Sequence, residues 1–187
     1  MFIIKNFYYL YIENTQSINL DQIKKNKKIS IIYRNNHSEE NLENVIKFKK
    51  KCSNRKFKLY IANNYKLAQQ CKADGLYLSS YNKKKIYEKY RQELIGSAHS
   101  YKEIYEKIKQ GCKKIIFSRL FKTKYKNKKN YMGVTKFNLL QKKYLITLIP
   151  LGGINNDNLL KLNLVFSNGF ALLSAIKKKP AISNRLF

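Results

Sequence analysis

IPLGGINNDN (149–158), followed by NGFALLSAI (168–176), is the stretch that decides how this chain folds. An apolar run ends on Gly152-Gly153, a short polar segment intervenes, and a second apolar run ends on Ser174. That order reads as strand, short helix, strand. Glycines at a strand end let backbone N–H groups approach an anion, and a following helix N-terminus adds a favourable dipole. A (β/α)8 barrel builds its phosphate site this way, in the loops after its last two strands.

The same alternation fills the rest of the chain. Apolar runs recur at 7–12 (FYYLYI), 29–34 (ISIIYR), 57–62 (FKLYIA), 75–79 (GLYLS), 93–98 (ELIGSA), 114–118 (KIIFS), 144–149 (YLITLI) and 169–174 (GFALLS). Their near-continuous apolar character suits parallel strands covered on both faces. Helix-periodic segments lie between them. SEENLENVIKFKKKC (38–52) has Ser38 as its N-cap, and SYKEIYEKIKQG (100–111) has Ile104 and Ile108 one turn apart with Gly111 as its stop. The expected fold is α/β: a compact (β/α)8 TIM barrel formed by residues 1–187 as a single domain. KKKP interrupts the residues after Ser174, so the last helix is expected to be shortened or missing.

A formal charge of +28 raises the question of nucleic acid. The basic residues are nearly all Lys, with Arg only at 34, 55, 91, 119 and 185, and no recognition motif accompanies them. They read as solvated outer faces, with no specific nucleic acid as partner and non-specific polyanion binding confined to low salt. Cys52, Cys71 and Cys112 are odd in number and lack a CxxC pair, as expected of reduced, half-buried thiols in a cytoplasmic protein. The segment MFIIKNFYYLYIEN (1–14) reads as a first strand rather than a signal peptide, and no apolar run reaches the ~18 residues of a membrane span. The longest loop, RLFKTKYKNKKNYMG (119–133), follows the sixth strand and is rich in lysine. Two readings stand there, an anion-binding lid and a solvated polar loop.

Five short motifs carry a resemblance. They are Ala73-Asp74-Gly75-Leu76-Tyr77-Leu78, Gly96-Ser97-Ala98-His99-Ser100, Phe121-Lys122-Thr123-Lys124-Tyr125-Lys126, Gly152-Gly153-Ile154, and the run from Asn168 to Ile176. In order and spacing they resemble the thiamine phosphate synthase and thiazole tautomerase (TenI-type) family, from about Ile29 to Ile176. The resemblance implies phosphorylated small-molecule substrates: a hydroxymethylpyrimidine diphosphate that loses pyrophosphate, and a thiazole phosphate whose nitrogen captures the pyrimidine. By register with the family motifs, Arg34, Asn36, Asn63, Ser97 and Lys126 would face the pyrimidine and pyrophosphate. Thr123, Lys124, Tyr125, Gly153, Leu173 and Ser174 would cradle the thiazole phosphate. Arg34 and His99 would be the catalytic groups.

The chain departs from the family where Mg²⁺ would bind. Asn63 and Asn82 stand where the resemblance implies metal-binding aspartates, so the expected metal site is degenerate. Mg²⁺ is the expected cofactor only if synthase activity is retained, since the ion is normally held by at least one carboxylate. Glu13 is the one acid expected near a strand's C-terminal end, while Asp74 and Asp157 read as turn and helix-start residues. Two alternatives stand beside the synthase: a metal-independent TenI-like tautomerase using His99, and a non-catalytic phosphate- or polyanion-binding barrel. Structural readings also stand for single residues. Arg34 could pair with a surface acid, Ser97 could be small because the barrel narrows there, and His99 could cap the fifth helix.

Overall fold

In the computed structural model, which describes residues 5–35, 40–84, 92–123 and 130–172, eight parallel strands close into a barrel. The strands are β1 (Phe7–Ile12), β2 (Ile29–Tyr33), β3 (Lys58–Ala62), β4 (Gly75–Leu78), β5 (Glu93–Ala98), β6 (Lys114–Ser118), β7 (Thr147–Leu151) and β8 (Gly169–Leu172). They pair in chain order, and β8 returns to β1 with Phe7 opposite Gly169. Around them lie α1 (Leu42–Asn54), α2 (Tyr65–Gln70), α3 (Tyr101–Lys109) and α4 (Gly133–Lys142). Short 3-10 helices at Leu20–Gln22 and Leu159–Leu164 serve the first and seventh crossovers. The fold is therefore the expected (β/α)8 barrel, with two of its crossovers reduced to short 3-10 helices. The expected shortened last helix falls after Leu172, outside the described residues.

Most boundaries lie within one or two residues of expectation, and the two larger shifts have local reasons. β7 begins at Thr147, because Tyr144–Ile146 form a turn rather than a strand. There the Gln141 side chain donates to the carbonyls of Tyr144 (3.2 Å) and Ile146 (3.0 Å) and accepts from Leu148 N (2.7 Å). A polar group borrowed from α4 thus ends the turn and starts the strand, which an apolar run cannot reveal. α1 begins at Leu42, capped by Asn41, whose Oδ1 accepts from Glu43 N at 3.0 Å. The expected cap, Ser38, lies outside the described residues.

Period-two alternation divides the core into two shells. Tyr8, Leu10, Ile31, Leu59, Leu76, Ile115 and Leu148 point outward and pack with Val45, Phe48, Ile104 and Phe137 of the helices. Tyr9, Tyr11, Ile32, Tyr60, Tyr77, Ile95, Ile116, Ile149 and Ala171 fill the barrel interior. A slip of one residue in any strand would exchange the shells, so burial fixes the register. Cys52, Cys71 and Cys112 are free and fully buried rather than half-buried. Burial pushes the Cys52 and Cys112 thiols up to about 12, so these act as inert packing groups.

The floor of the barrel is an ionic plug. Glu93 opens β5 and accepts from Tyr60 Oη at 2.6 Å and Lys114 Nζ at 2.7 Å, with Lys58 Nζ at 3.6 Å. Burial opposes ionisation of Glu93, but hydrogen bonds from Lys114 and Tyr60 and the charges of Lys114 and Lys58 prevail and hold its pKa below the ordinary 4.5. A depressed carboxylate pKa stabilises the fold above the ordinary value, and that stability is lost as pH falls through the depressed one. Thermal melts between about pH 7 and about pH 3 should therefore show a steep acid limb that Glu93→Gln flattens. An unchanged limb in the variant would refute the plug's contribution.

Candidate functional site

The inward positions of the strands also decide what reaches the C-terminal mouth. Continuing the alternation past Ile32, Ile95 and Ile116 places Arg34, Ser97, His99 and Ser118 around the opening. Together with Tyr11, Tyr77, Leu151 and the rim residues Ser79, Ser80 and Tyr81 they line a cavity of about 70 Å³. That volume is small beside the roughly 300–1,000 Å³ of ordinary ligand pockets, so the described residues form only part of a ligand site.

Tyr11 and Tyr77 form the base of this cavity. Their rings meet edge to face at 5.5 Å, and Tyr11 Oη donates to Tyr77 Oη at 3.0 Å. Burial raises both phenols, most strongly Tyr11, and Ser97 and Arg34 pull Tyr77 the other way. Both stay neutral and serve as hydrogen-bonding walls rather than bases. Ser97 is thus engaged with Tyr77.

Arg34 directly follows β2, and its backbone N donates to Ile12 O at 2.8 Å, carrying the ladder one residue past the strand. Its Nε is buried and has no partner among the described residues. A buried N–H with nothing to donate to costs about 1–3 kcal/mol, so the geometry is poised for an acceptor. No surface acid pairs with Arg34 among the described salt bridges.

His99 follows β5. Capping of α3 falls to its neighbours: Ser100 Oγ accepts from Glu103 N at 3.3 Å, and Glu103 Oε2 accepts from His99 N at 2.6 Å. The imidazole is left for the mouth, where Nδ1 shares a hydrogen bond with Ser118 Oγ at 2.7 Å. Ser118 escaped the sequence reading. The signal was present in its inward parity with Ile116 at the end of β6, but no motif marked it.

The loops after β6 and β7 interlock. Leu120 N donates to Leu151 O (2.9 Å) and Phe121 N to Gly152 O (3.0 Å). Gly153 adopts a φ of 72°, and a Cβ there would lie 2.3 Å from Phe121 O and 2.5 Å from Lys122 O. Only glycine permits both the conformation and the approach. Thr123 is brought to this junction, with Arg119 Nη1 donating to its Oγ1 at 3.5 Å. Asn36, Lys124, Tyr125, Lys126, Leu173 and Ser174 lie outside the described residues.

Asn63 and Asn82, from the ends of β3 and β4, come together, with Asn82 Nδ2 donating to Asn63 Oδ1 at 3.0 Å. Glu13 follows β1 and is exposed. A second acid, Glu40, is committed to loop structure, where it accepts from Tyr33 Oη at 2.8 Å and Thr15 N at 3.1 Å. Asp74 precedes β4 and joins α1 to β3 through Lys49 and Leu59 N. Asp157 lies in the turn before Leu159–Leu164, donating through its backbone N to Asn155. Among the described residues no group of three or more His, Cys, Asp or Glu could hold a metal ion, and no helix is long and apolar enough to cross a membrane.

Such a mouth, with guanidinium, imidazole and hydroxyl groups and no carboxylate among its described lining residues, defines a class of barrel suited to anionic small molecules. The chain belongs to the thiamine monophosphate synthase family, whose profile matches residues 13–176. The thiamine-phosphate synthase of Pelagibacter ubique is 29% identical over 165 residues, covering 82% of this chain and 80% of that protein. That of Prochlorococcus marinus is 36% identical over 86 residues, 46% of this chain and only 25% of the relative's length. Among solved structures, thiamine phosphate pyrophosphorylase from Pyrococcus furiosus superposes with a TM-score of 0.77 at 17% identity, over 97% of this chain and 92% of that one. An aldolase for 2-keto-3-deoxy-6-phosphogluconate from Zymomonas mobilis reaches 0.63 at 12% identity over the same share of each. At such identities the structural likeness speaks for the barrel alone.

Proposed function

We propose that this protein binds phosphorylated pyrimidine and thiazole substrates across its C-terminal mouth and joins them in the manner of a thiamine phosphate synthase. The observation that carries this reading is Arg34, half-buried, with a buried Nε unpartnered among the described residues, at the wall of a cavity with no carboxylate among its described lining residues. In the reaction the C–O bond to the diphosphate breaks and its electron pair leaves with pyrophosphate. The thiazole nitrogen then donates its lone pair to the exposed methylene carbon, forming the C–N bond. Arg34 would neutralise the charge growing on the leaving group, and a planar fork suits two phosphate oxygens. The Tyr11–Tyr77 floor would keep water from the cation, and Thr123 with the Gly153 amide would hold the thiazole phosphate. In this reading Asn63 and Asn82 occupy the positions of the family's metal carboxylates.

One observation favours a second reading. The 2.7 Å contact between His99 Nδ1 and Ser118 Oγ orients an imidazole at the mouth, as proton transfer on a thiazole carboxylate phosphate would require. The condensation moves no proton in forming its bond, so the two reactions separate on one substitution. His99→Asn should leave thiamine phosphate formation within about 3-fold, whereas a tautomerase would lose about 10²–10⁴-fold. The assay is direct detection of thiamine phosphate from the two substrates, run beside thiazole tautomerisation. Inactivity in both, with affinity only for polyanions that moderate salt abolishes, would sink both readings in favour of a non-catalytic binder.

A further inference from the structure

The amide pair after β3 and β4 is more than a weak metal site. Asn63 is held in the left-handed region (φ 56°), with its backbone N donating to Tyr77 O at 2.9 Å. Its Oδ1 accepts from Ser79 N, Ser79 Oγ and Asn82 Nδ2, each at 3.0 Å. A carbonyl oxygen has two lone pairs, so three donors leave none for a cation. The other half of the amide, Nδ2, donates to Ser79 Oγ at 2.8 Å and to Tyr81 Oη at 3.0 Å. Asn82 turns its Nδ2 toward Asn63, and its own Oδ1 accepts from Lys84 N at 3.0 Å.

Behind this pair sits a buried charge. The side chain of Lys107 is wholly enclosed, and its Nζ donates to Asn82 O at 2.7 Å and to Gln110 Oε1 at 2.9 Å. Gln110 Nε2 in turn donates to Asn82 O at 3.0 Å. Among the described residues no carboxylate makes a salt bridge with Lys107, and burial lowers its pKa from the ordinary 10.5 against the weaker opposing charges of Glu106 and Glu103. An ammonium held against the backbone of Asn82 in a poorly screened interior repels a divalent cation and attracts an anion. Mg²⁺ demands hard oxygen donors in near-octahedral geometry and does not fit a site that has no carboxylate cluster among the described residues, whose Asn63 Oδ1 is saturated and whose backing is positive.

We infer that the β3–β4 rim is a metal-excluding lock, in which the hydrogen-bonded Asn63–Asn82 amides backed by Lys107 leave no place for a divalent cation, so that a phosphorylated ligand binds at the mouth without metal. This rests on the mouth being the phosphate site, and the experiment has one arm for each claim. In the first, Mn²⁺ is titrated into the protein alone and followed by electron paramagnetic resonance. The natural chain should bind no Mn²⁺ at about 1 mM, whereas Asn63→Asp/Asn82→Asp should bind one ion at least 10-fold more tightly. Stoichiometric Mn²⁺ binding by the natural chain would overturn the lock, whatever the ligand arm gives. In the second, inorganic pyrophosphate is titrated calorimetrically in EDTA and again in Mg²⁺. Affinities within about 3-fold of each other support the lock, and binding that requires Mg²⁺ overturns it while sparing the phosphate site. Absence of binding in both media would instead overturn the phosphate site, with the Mn²⁺ arm still deciding the lock.

Discussion

Arg34→Ala is expected to weaken pyrophosphate binding about 100-fold, the equivalent of about 2.7 kcal/mol, when measured by isothermal titration calorimetry in EDTA. The size follows from losing a charge-assisted, two-pronged contact inside a partly enclosed mouth. Arg34→Lys should recover only part of that loss, because an ammonium keeps the charge but not the planar fork. Stability supplies an internal control. The Arg34 Nε is buried without a partner among the described residues, so removing it deletes an unmet donor rather than a bond. The melting temperature of Arg34→Ala should stay level or rise, separating a ligand-binding arginine from a structural one. A fall in melting temperature with unchanged pyrophosphate affinity would reverse the assignment.

Gly153→Ala should be the most damaging conservative change in the mouth. A non-glycine residue at φ 72° costs about 1–2 kcal/mol in backbone strain alone. The added methyl would also meet the carbonyls of Phe121 and Lys122, at 2.3 and 2.5 Å, and neither is the yielding end of a side chain. The loop after β6 must therefore move. A total near 3 kcal/mol lowers the melting temperature by about 6–12 °C in a chain of this size. Gly111→Ala isolates the first component: φ there is 79°, yet the nearest atom to its Cβ is Leu94 Cδ1 at 3.9 Å. It should cost about 1–2 kcal/mol and leave phosphate binding intact. Equal losses from the two variants would mean the interlock of the β6 and β7 loops contributes nothing.

Much of this architecture is written locally. The runs FYYLYI, ELIGSA and KIIFS coincide with β1, β5 and β6, because each is apolar enough for burial on both faces and is bounded by polar turns. The Ser100–Glu103 capping pair likewise sets the start of α3 from a four-residue pattern. β7 departs from the apolar run 144–149 because Gln141, a side chain from the preceding helix, supplies the hydrogen bonds that decide where pairing begins.

At the site the division is similar. Register with the family motifs placed Arg34 and Ser97 at the site, and the glycine pair marked the junction at 152–153 as a place of close approach. Nothing in the order of residues announces that Ser118 meets His99, or that Tyr11 bonds Tyr77 across 66 positions of chain. Nor does it reveal that Lys107, one of many lysines, is the buried one that grips the loop bearing Asn82. Periodicity and turn chemistry act over a few residues, and they determined the strands and the barrel. Which polar atoms meet, and which cation is left inside rather than in water, depends on where barrel closure brings distant strand ends. That was decided only by the tertiary structure, because hydrogen bonding and desolvation act between atoms in contact and not between neighbours in sequence.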